Sequence, residues 1–214
     1  MANIYAAQTA QDAISPEELE LYHLIMSYRA SVGLSAIPLS VGLSTTAGRH
    51  ALDMRENIWR ADLAQPSGAN LHSWSDAPYL ADHSTPEAMW DAPQRLGTSY
   101  TDRGYEISAA GPAEVAGALA LWQSSSGHDA TIVNEGIWAN YDWDAIGIGV
   151  MNEGDSSLPF QGRIYHVWFG DAPDSGGAPV IRGEAGADSL LGTGFDDRIE
   201  SGGGSGRSVC ADGR

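Results

Sequence analysis

Two segments, 146–151 (IGIGVM) and 163–169 (RIYHVWF), constrain the fold of this chain most. A strand with one wet face alternates apolar and polar residues. A short run that is apolar on both faces needs cover on both. The pair therefore predicts a sheet with a layer on each side. The polar link 152–162 is long for a hairpin loop.

The covering layers are legible upstream as helical stretches. Ser15-Pro16-Glu17-Glu18 is a helix start, with Ser as N-cap and Pro at the first helical position. Leu21, Leu24, Ile25 and Tyr28 follow at helical spacing, and Gly33 stops the run. Ser40 or Ser44 opens a second helix to about Ile58, with Leu43, Ala47, Ala51 and Met54 on one face. A third is expected from Thr85-Pro86-Glu87 to Arg95, a short strand over 103–108, and a fourth helix over 113–123. Helices first and antiparallel strands after predict an α+β fold, a three-layer α/β/α sandwich with a small antiparallel sheet.

The C-terminal part follows another rule. Residues 183–200 are two consecutive nonapeptides, GEAGADSLL and GTGFDDRIE, on the pattern G-G-x-G-x-D-x-U-x, where U is a large aliphatic residue. Asp188 and Asp197 share one register, and Leu190 and Ile199 another. Gly183, Gly186, Gly192 and Gly194 allow tight turns. The two aspartates and the turn carbonyls are hard oxygen ligands suited to calcium. The pattern predicts a short C-terminal parallel β-roll fragment. The segment resembles the RTX repeats of bacterial secreted proteins, with departures: Phe195 replaces a glycine, and Gly206 stands where a third repeat needs Asp. The resemblance implies type I export into calcium-rich surroundings. The expected organisation is a leader (1–15), a folded domain (16–172), a linker (173–182), the repeats (183–200) and a flexible tail (201–214).

Charge narrows the partners. A net charge of −17 disfavours nucleic acid and anionic membrane, since phosphate binding needs a basic face. It suits an extracellular protein with affinity for cations. The single cysteine, Cys210, excludes a disulfide within the chain. The N-terminus has no apolar stretch of the signal-peptide kind, and nothing approaches the length of a membrane span. With the repeats, that N-terminus fits type I export, although the tail GGGSGRSVCADGR does not resemble an export signal.

Of the six histidines, His72 and His128 lie beside small residues in segments read as accessible loops. His23 and His50 read as packed or solvated helical residues, and His166 as a satisfied core residue of a buried strand.

At these residues the chain resembles a bacterial CAP domain, also called SCP-like, of the superfamily of cysteine-rich secretory proteins, antigen 5 and PR-1 proteins. The carrying segments are LYHLIMSYRASVGL (21–34), His72-Ser73, Gly104-Tyr105-Glu106-Ile107, WQSSSGH (122–128), IGIGV (146–150) and Trp168-Phe169-Gly170. The resemblance spans about 16–171. It implies a cleft where two histidines and two acids face a divalent metal: His72, His128 and Glu106 here, with Ser125 in the place of the second acid. The inserted Tyr105 leaves open which way Glu106 points.

Two imidazoles, one carboxylate and an open position suit zinc, with magnesium the second candidate. Such a metal activates a bound water; Glu106, or His128, could instead serve as general base. A purely structural use, in which these side chains hydrogen-bond one another, stays open. The expectation is a secreted, extracellular binding protein for a small-molecule or peptide ligand. The alternative is a metal-dependent hydrolase acting on peptide or cell-wall material from the same cleft.

Overall fold

A computed structural model describes residues 1–186, 189–203 and 207–209, the last three as backbone. Helix α1, Pro16–Ser31, starts where its cap predicts. The Glu18 amide donates to Ser15 Oγ (3.2 Å), and the Ser15 amide donates to the Glu18 carboxylate (2.7 Å). Helix α2, Val41–Leu52, is capped by Ser40, whose hydroxyl accepts the Leu43 amide (2.9 Å).

The expected extension to Ile58 is present but widened: Asp53–Trp59 is π-helical. Its cause is tertiary. The buried Asp53 carboxylate accepts the Ser75 amide (2.6 Å), the Ser75 hydroxyl (2.7 Å) and Asn57 Nδ2 (2.6 Å). Side-chain demands of this kind compete with the regular helical ladder. The expected third helix divides at Asp91 into two single turns, α3 (Glu87–Trp90) and α4 (Ala92–Arg95). Pro93, at the start of α4, has no N–H to continue a ladder from α3.

The sheet has three strands: β1 (Tyr105–Ala110), β2 (Ala145–Met151) and β3 (Ile164–Gly170). Their order is β1-β3-β2, antiparallel throughout. Side chains alternate as the two-faced strands require. Tyr105, Ile107, Ile146, Ile148, Tyr165, Val167 and Phe169 join the core beneath α1 and α5 (Val115–Ser124), with Leu21, Ile25, Leu119 and Trp122. The other face carries Glu106, Ser108, His166 and Trp168 and is covered by α2. Gly147 and Gly149 make that cover possible: a Cβ on either would strike the α2 backbone, at Leu43 and Ala47 respectively.

Beyond the fourth expected helix, where His128 is expected in a loop, the chain forms a further helix, α6 (Ser126–Ile132), with Ser125 as its N-cap. The chain resets at Ser125 (φ −106°, ψ 110°) and turns helical again. His128 is therefore helical rather than in a loop. Helix α1 fixes α6: Tyr28 Oη donates to Asp129 Oδ1 (2.8 Å), and Arg29 donates to Asn134 Oδ1 (2.7 Å) and to the Ile132 carbonyl.

Beyond the sheet, three-residue strands recur every nine residues: β4 (Val180–Arg182), β5 (Ser189–Leu191), β6 (Arg198–Glu200) and β7 (Arg207–Val209). β4 pairs with β6 and β5 with β7, both parallel, eighteen residues apart. The expected linker thus holds the first strand. It lacks the aspartate that marks a repeat but keeps Val-Ile-Arg opposite Arg-Ile-Glu. Ile181 and Leu190 are buried in the main core. The leader is tied in as well. Ile14 bridges to Ile181, its amide donating to the Val180 carbonyl (2.8 Å) and its carbonyl accepting the Arg182 amide (2.8 Å). Both Asp12 oxygens accept from Arg49, at 2.8 Å each. Among the described residues no helix is long and apolar enough to cross a membrane.

Candidate functional site

Strand alternation settles where Glu106 points. Tyr105 and Ile107 face α1 and α5, so Glu106 faces α2, together with Ser108. The register then sets its neighbours: Glu106 lies beside Trp168, and Ser108 beside His166, which in turn lies beside Gly149. With no side chain at Gly149, α2 comes close enough for His50 to reach the strand. The His50 ring stacks on His166 (centroids 3.9 Å, 16°) and, on its other side, on Trp74 (4.1 Å, 10°).

Three imidazoles converge on the Glu106 carboxylate. His50 Nδ1 lies 2.5 Å from Oε1 and His166 Nδ1 2.7 Å from the same oxygen. His72 Nδ1 lies 2.7 Å from Oε2. Ser108 Oγ sits between two of them, 2.9 Å from His166 Nδ1 and 3.2 Å from His72 Nδ1. His50 Nε2 is 3.0 Å from the Ser73 carbonyl. A carbonyl only accepts, so this nitrogen donates. Both His50 nitrogens are thus committed to protein acceptors, whereas His166 Nε2 has no protein partner among the described residues.

Burial alone would raise the Glu106 pKa, but the charges of His50 and His166 and their hydrogen bonds outweigh it and hold the carboxyl well below its ordinary value. For His166 burial dominates, and repulsion from His50 adds to it. Its pKa falls to about 4 despite the neighbouring carboxylate. Burial also lowers His128, with repulsion from His72 assisting and the attraction of Glu106 opposing.

The predicted trio is therefore distributed. His72, its side chain 16% exposed, bonds Glu106 directly. His128 enters from α6, close enough to feel the charges of His72 and Glu106, but forms no hydrogen bond among the described residues. Ser125 lies three residues before it at the helix N-cap. The tightest donor set is another one: the ligand atoms of His50, Glu106 and His166 lie within 4.8 Å of one another, and this buried group could hold a metal ion.

Sequence reasoning missed His50 and His166, although a signal existed. His50 follows Leu43 and Ala47 on the buried face of α2 and precedes Met54 of the π-helical continuation (spacings of four, three and four). His166 shares strand parity with Trp168, the neighbour of Glu106. A histidine on a fully buried face needs a partner, and a lone buried glutamate needs one too.

The repeat residues read as calcium ligands are placed as follows. Asp197 accepts the Thr193 amide (2.7 Å) and the Thr193 hydroxyl (2.8 Å), one on each oxygen, so the Gly192–Gly194 turn is closed by its own side chains. In the turn eighteen residues earlier, Asp174 Oδ2 accepts Ser40 Oγ (2.6 Å) and the Gly42 amide (2.7 Å), capping α2. At this edge the Asp197 and Asp174 carboxylates are engaged by protein donors. At the opposite edge Gly202 packs against the carbonyls of Gly183 and Glu184, next to Gly186; Asp188 lies outside the described residues.

The sequence matches no protein-family model and no curated protein. Three solved structures show a weak overall likeness. An outer surface protein of Borrelia burgdorferi is 20% identical, with a TM-score of 0.48 over 74% of this chain and 96% of that one. An extracellular protein containing a SCP domain from Bacillus anthracis is 19% identical, with a TM-score of 0.49 over 72% of this chain and 39% of that one. A cysteine-rich secretory protein from Staphylococcus aureus is 15% identical, with a TM-score of 0.46 over 73% and 38% respectively.

Proposed function

We propose that this chain is a CAP-like, secreted binding protein that takes a divalent cation, zinc first and magnesium second, at Glu106, and a small-molecule or peptide ligand beside it. One observation carries the reading: imidazoles ring a single carboxylate, and one oxygen of that carboxylate faces the partly exposed His72. In this proposal His72, Glu106 and His128 are the ligands, the two histidines partly exposed and the carboxylate buried. His50 and His166 hold the carboxylate charged and aimed. His50 suits that supporting role because both of its nitrogens are committed, one of them to the Ser73 carbonyl. Ligating groups are commonly oriented by such an outer layer of hydrogen bonds.

Calcium at the C-terminal strands belongs, in this proposal, to the turn of Gly183 and Gly186, where the Gly183 and Glu184 carbonyls lie against Gly202; the repeat pattern supplies Asp188 as its acid. Export by a type I exporter is part of the same reading and rests on the repeat pattern alone.

Zinc titration of the purified chain is the test, with two double variants compared against wild type. The expectation is about one equivalent bound by wild type and none by His72→Ala/His128→Ala. If only His50→Gln/His166→Gln loses zinc, the ion belongs to the buried group instead. If neither pair matters, the imidazoles serve the fold alone. Hydrolysis of a peptide or cell-wall fragment, abolished both by chelator and by His72→Ala/His128→Ala, would turn the reading from binder to metal-dependent hydrolase.

A further inference from the structure

The leader crosses the outside of α2 and ends against the nine-residue repeats, and it encloses a cavity that the cation reading does not use. Gly48 admits it: a Cβ there would strike the Gln11 backbone. Asp12 then pairs with Arg49, and Ile14 joins β4. The cavity has a volume of about 540 Å3. It is lined by Ala10 and Asp12 of the leader, Val41 and Thr45 of α2, and Arg182 and Arg198 of β4 and β6. On α2, Val41, Thr45 and Arg49 recur four residues apart, on the side of the helix away from Ala47 and His50.

Strand alternation puts both arginines on this wall. Ile181 is buried in the main core, so Val180 and Arg182 face outward. The register sets Arg198 beside Val180 and Glu200 beside Arg182, with Ile199 beside Ile181. Val180, Arg182, Arg198 and Glu200 therefore share the outer face. One carboxylate serves both cations: Glu200 Oε2 lies 3.2 Å from Arg182 Nη2, and its Oε1 lies 3.2 Å from Arg198 Nη2. Asp12, the acid of the facing wall, is already neutralised by Arg49, which donates to both of its oxygens. The cavity thus carries an excess of one positive charge, in a chain of net charge −17.

Each guanidinium uses one amino group on Glu200 and, among the described residues, has no other hydrogen-bond partner. The remaining donors are reachable, since the two side chains are 50% and 71% exposed. Ion pairs this exposed contribute little and yield readily to a better acceptor. A guanidinium presents parallel donors that match the two oxygens of a carboxylate. Val41, Val180, Ala10 and Ala13 supply apolar wall beside the arginines.

We infer that this cavity binds a small monocarboxylate, its carboxylate held by Arg182 and Arg198 and its apolar body resting on Val41 and Val180. The single charge follows from the excess of one. The volume lies within the roughly 300–1,000 Å3 usual for drug-sized ligands. The occupant touches the leader, α2 and both strands, so it ties the repeats to the folded domain. The cavity shares no residue with the ring around Glu106, and the inference stands whether or not a cation binds there.

The test uses the full chain with naphthoate and its neutral amide as probes, read by the methyl resonances of Val41 and Val180. Naphthoate is expected to give a saturable shift and to bind at least about tenfold more tightly than the amide. Arg182→Gln/Arg198→Gln, which changes two exposed side chains, is expected to bring the probes within about twofold of each other. Glu200→Gln frees both guanidiniums and is expected to tighten naphthoate about threefold or more, with the amide unchanged. Equal binding of the two probes by wild type, or a naphthoate preference that survives the double arginine variant, would overturn the inference. So would displacement of naphthoate by an equal concentration of inorganic phosphate, because charge alone would then account for the binding.

Discussion

Glu18 and Glu106 are both buried, 4% and 6% exposed, and burial pushes both toward the neutral form. They end at opposite extremes. Glu18, at the start of α1, is met by backbone amides, those of Ser15 (2.7 Å) and Val150 (2.8 Å). These neutral donors do not offset its desolvation, and its pKa rises to about 7. Glu106 is met by three imidazoles, and its pKa falls well below the ordinary value. Depth is the same in the two places and partner chemistry differs. One region uses a carboxyl to tie a helix end to a strand end; the other keeps a carboxylate charged inside the protein.

The strongest way to break this contrast is to remove the charge at the ringed site. Glu106→Gln is expected to cost about 3 kcal/mol of stability, because the buried ring nitrogens lose a charged acceptor that they share. Urea unfolding at pH 7.5 reads it. A loss under about 1 kcal/mol would mean that packing, not charge, holds the ring together.

Gly149→Ala attacks the same region without touching a polar group. A methyl there drives α2 off the sheet and His50 off His166. The expected cost is about 3 kcal/mol, at the upper end for overpacking, and roughly 6–12 °C in Tm. A Tm within a degree or two of wild type would show that α2 yields easily and that the glycine is not what admits His50.

The pH response sharpens the contrast from the other side. In the folded chain Glu18 holds its proton up to about pH 7, while unfolded it releases the proton near 4.5. Folding therefore favours proton uptake by Glu18 between those values, and its contribution to stability rises as pH falls from 8 to 4.5, by about 3 kcal/mol at most. Glu106 has the reverse sign: its contribution is present above the unfolded value and is lost as pH falls through the depressed folded one. Subtracting the stability–pH curve of Glu18→Gln from that of wild type isolates the first effect. A flat difference over pH 5–8 would refute it.

The smallest change trims the ring's edge. Ser108 Oγ lies within hydrogen-bonding distance of His166 and His72, and Ser108→Ala is expected to cost about 1 kcal/mol. The His72 ring resonances should broaden as that histidine loses one of its two anchors. Unchanged resonances would place the whole orienting role on Glu106.

Much of the fold was legible before any coordinates. The Ser15 capping box, the two doubly apolar strands and the nine-residue rhythm at the C-terminus are local signals, written in residues a few positions apart. The site was only partly legible. Motif resemblance pointed to His72, Glu106 and His128. It passed over His50 and His166, which periodicity places on buried faces without naming what they meet. It also left His128 in a loop, because a single reset at Ser125 separates two short helices that read as one helix and a tail. The same blindness to non-local bonding hid the π-helical segment, whose cause is the pull of Ser75 on Asp53.

The sequence by itself determined helices α1 and α2, the two central strands and the buried faces that they carry. That follows because alternation and helical period are properties of neighbouring residues. Only the tertiary structure decided that Glu106, His50 and His166 share one place. Those residues lie on three different elements. Their meeting depends on the register of β1 against β3, on the parity of Glu106 relative to Tyr105, and on two glycines that let α2 approach the sheet. Register and approach distance are set by packing across the core, and no stretch of contiguous sequence encodes them.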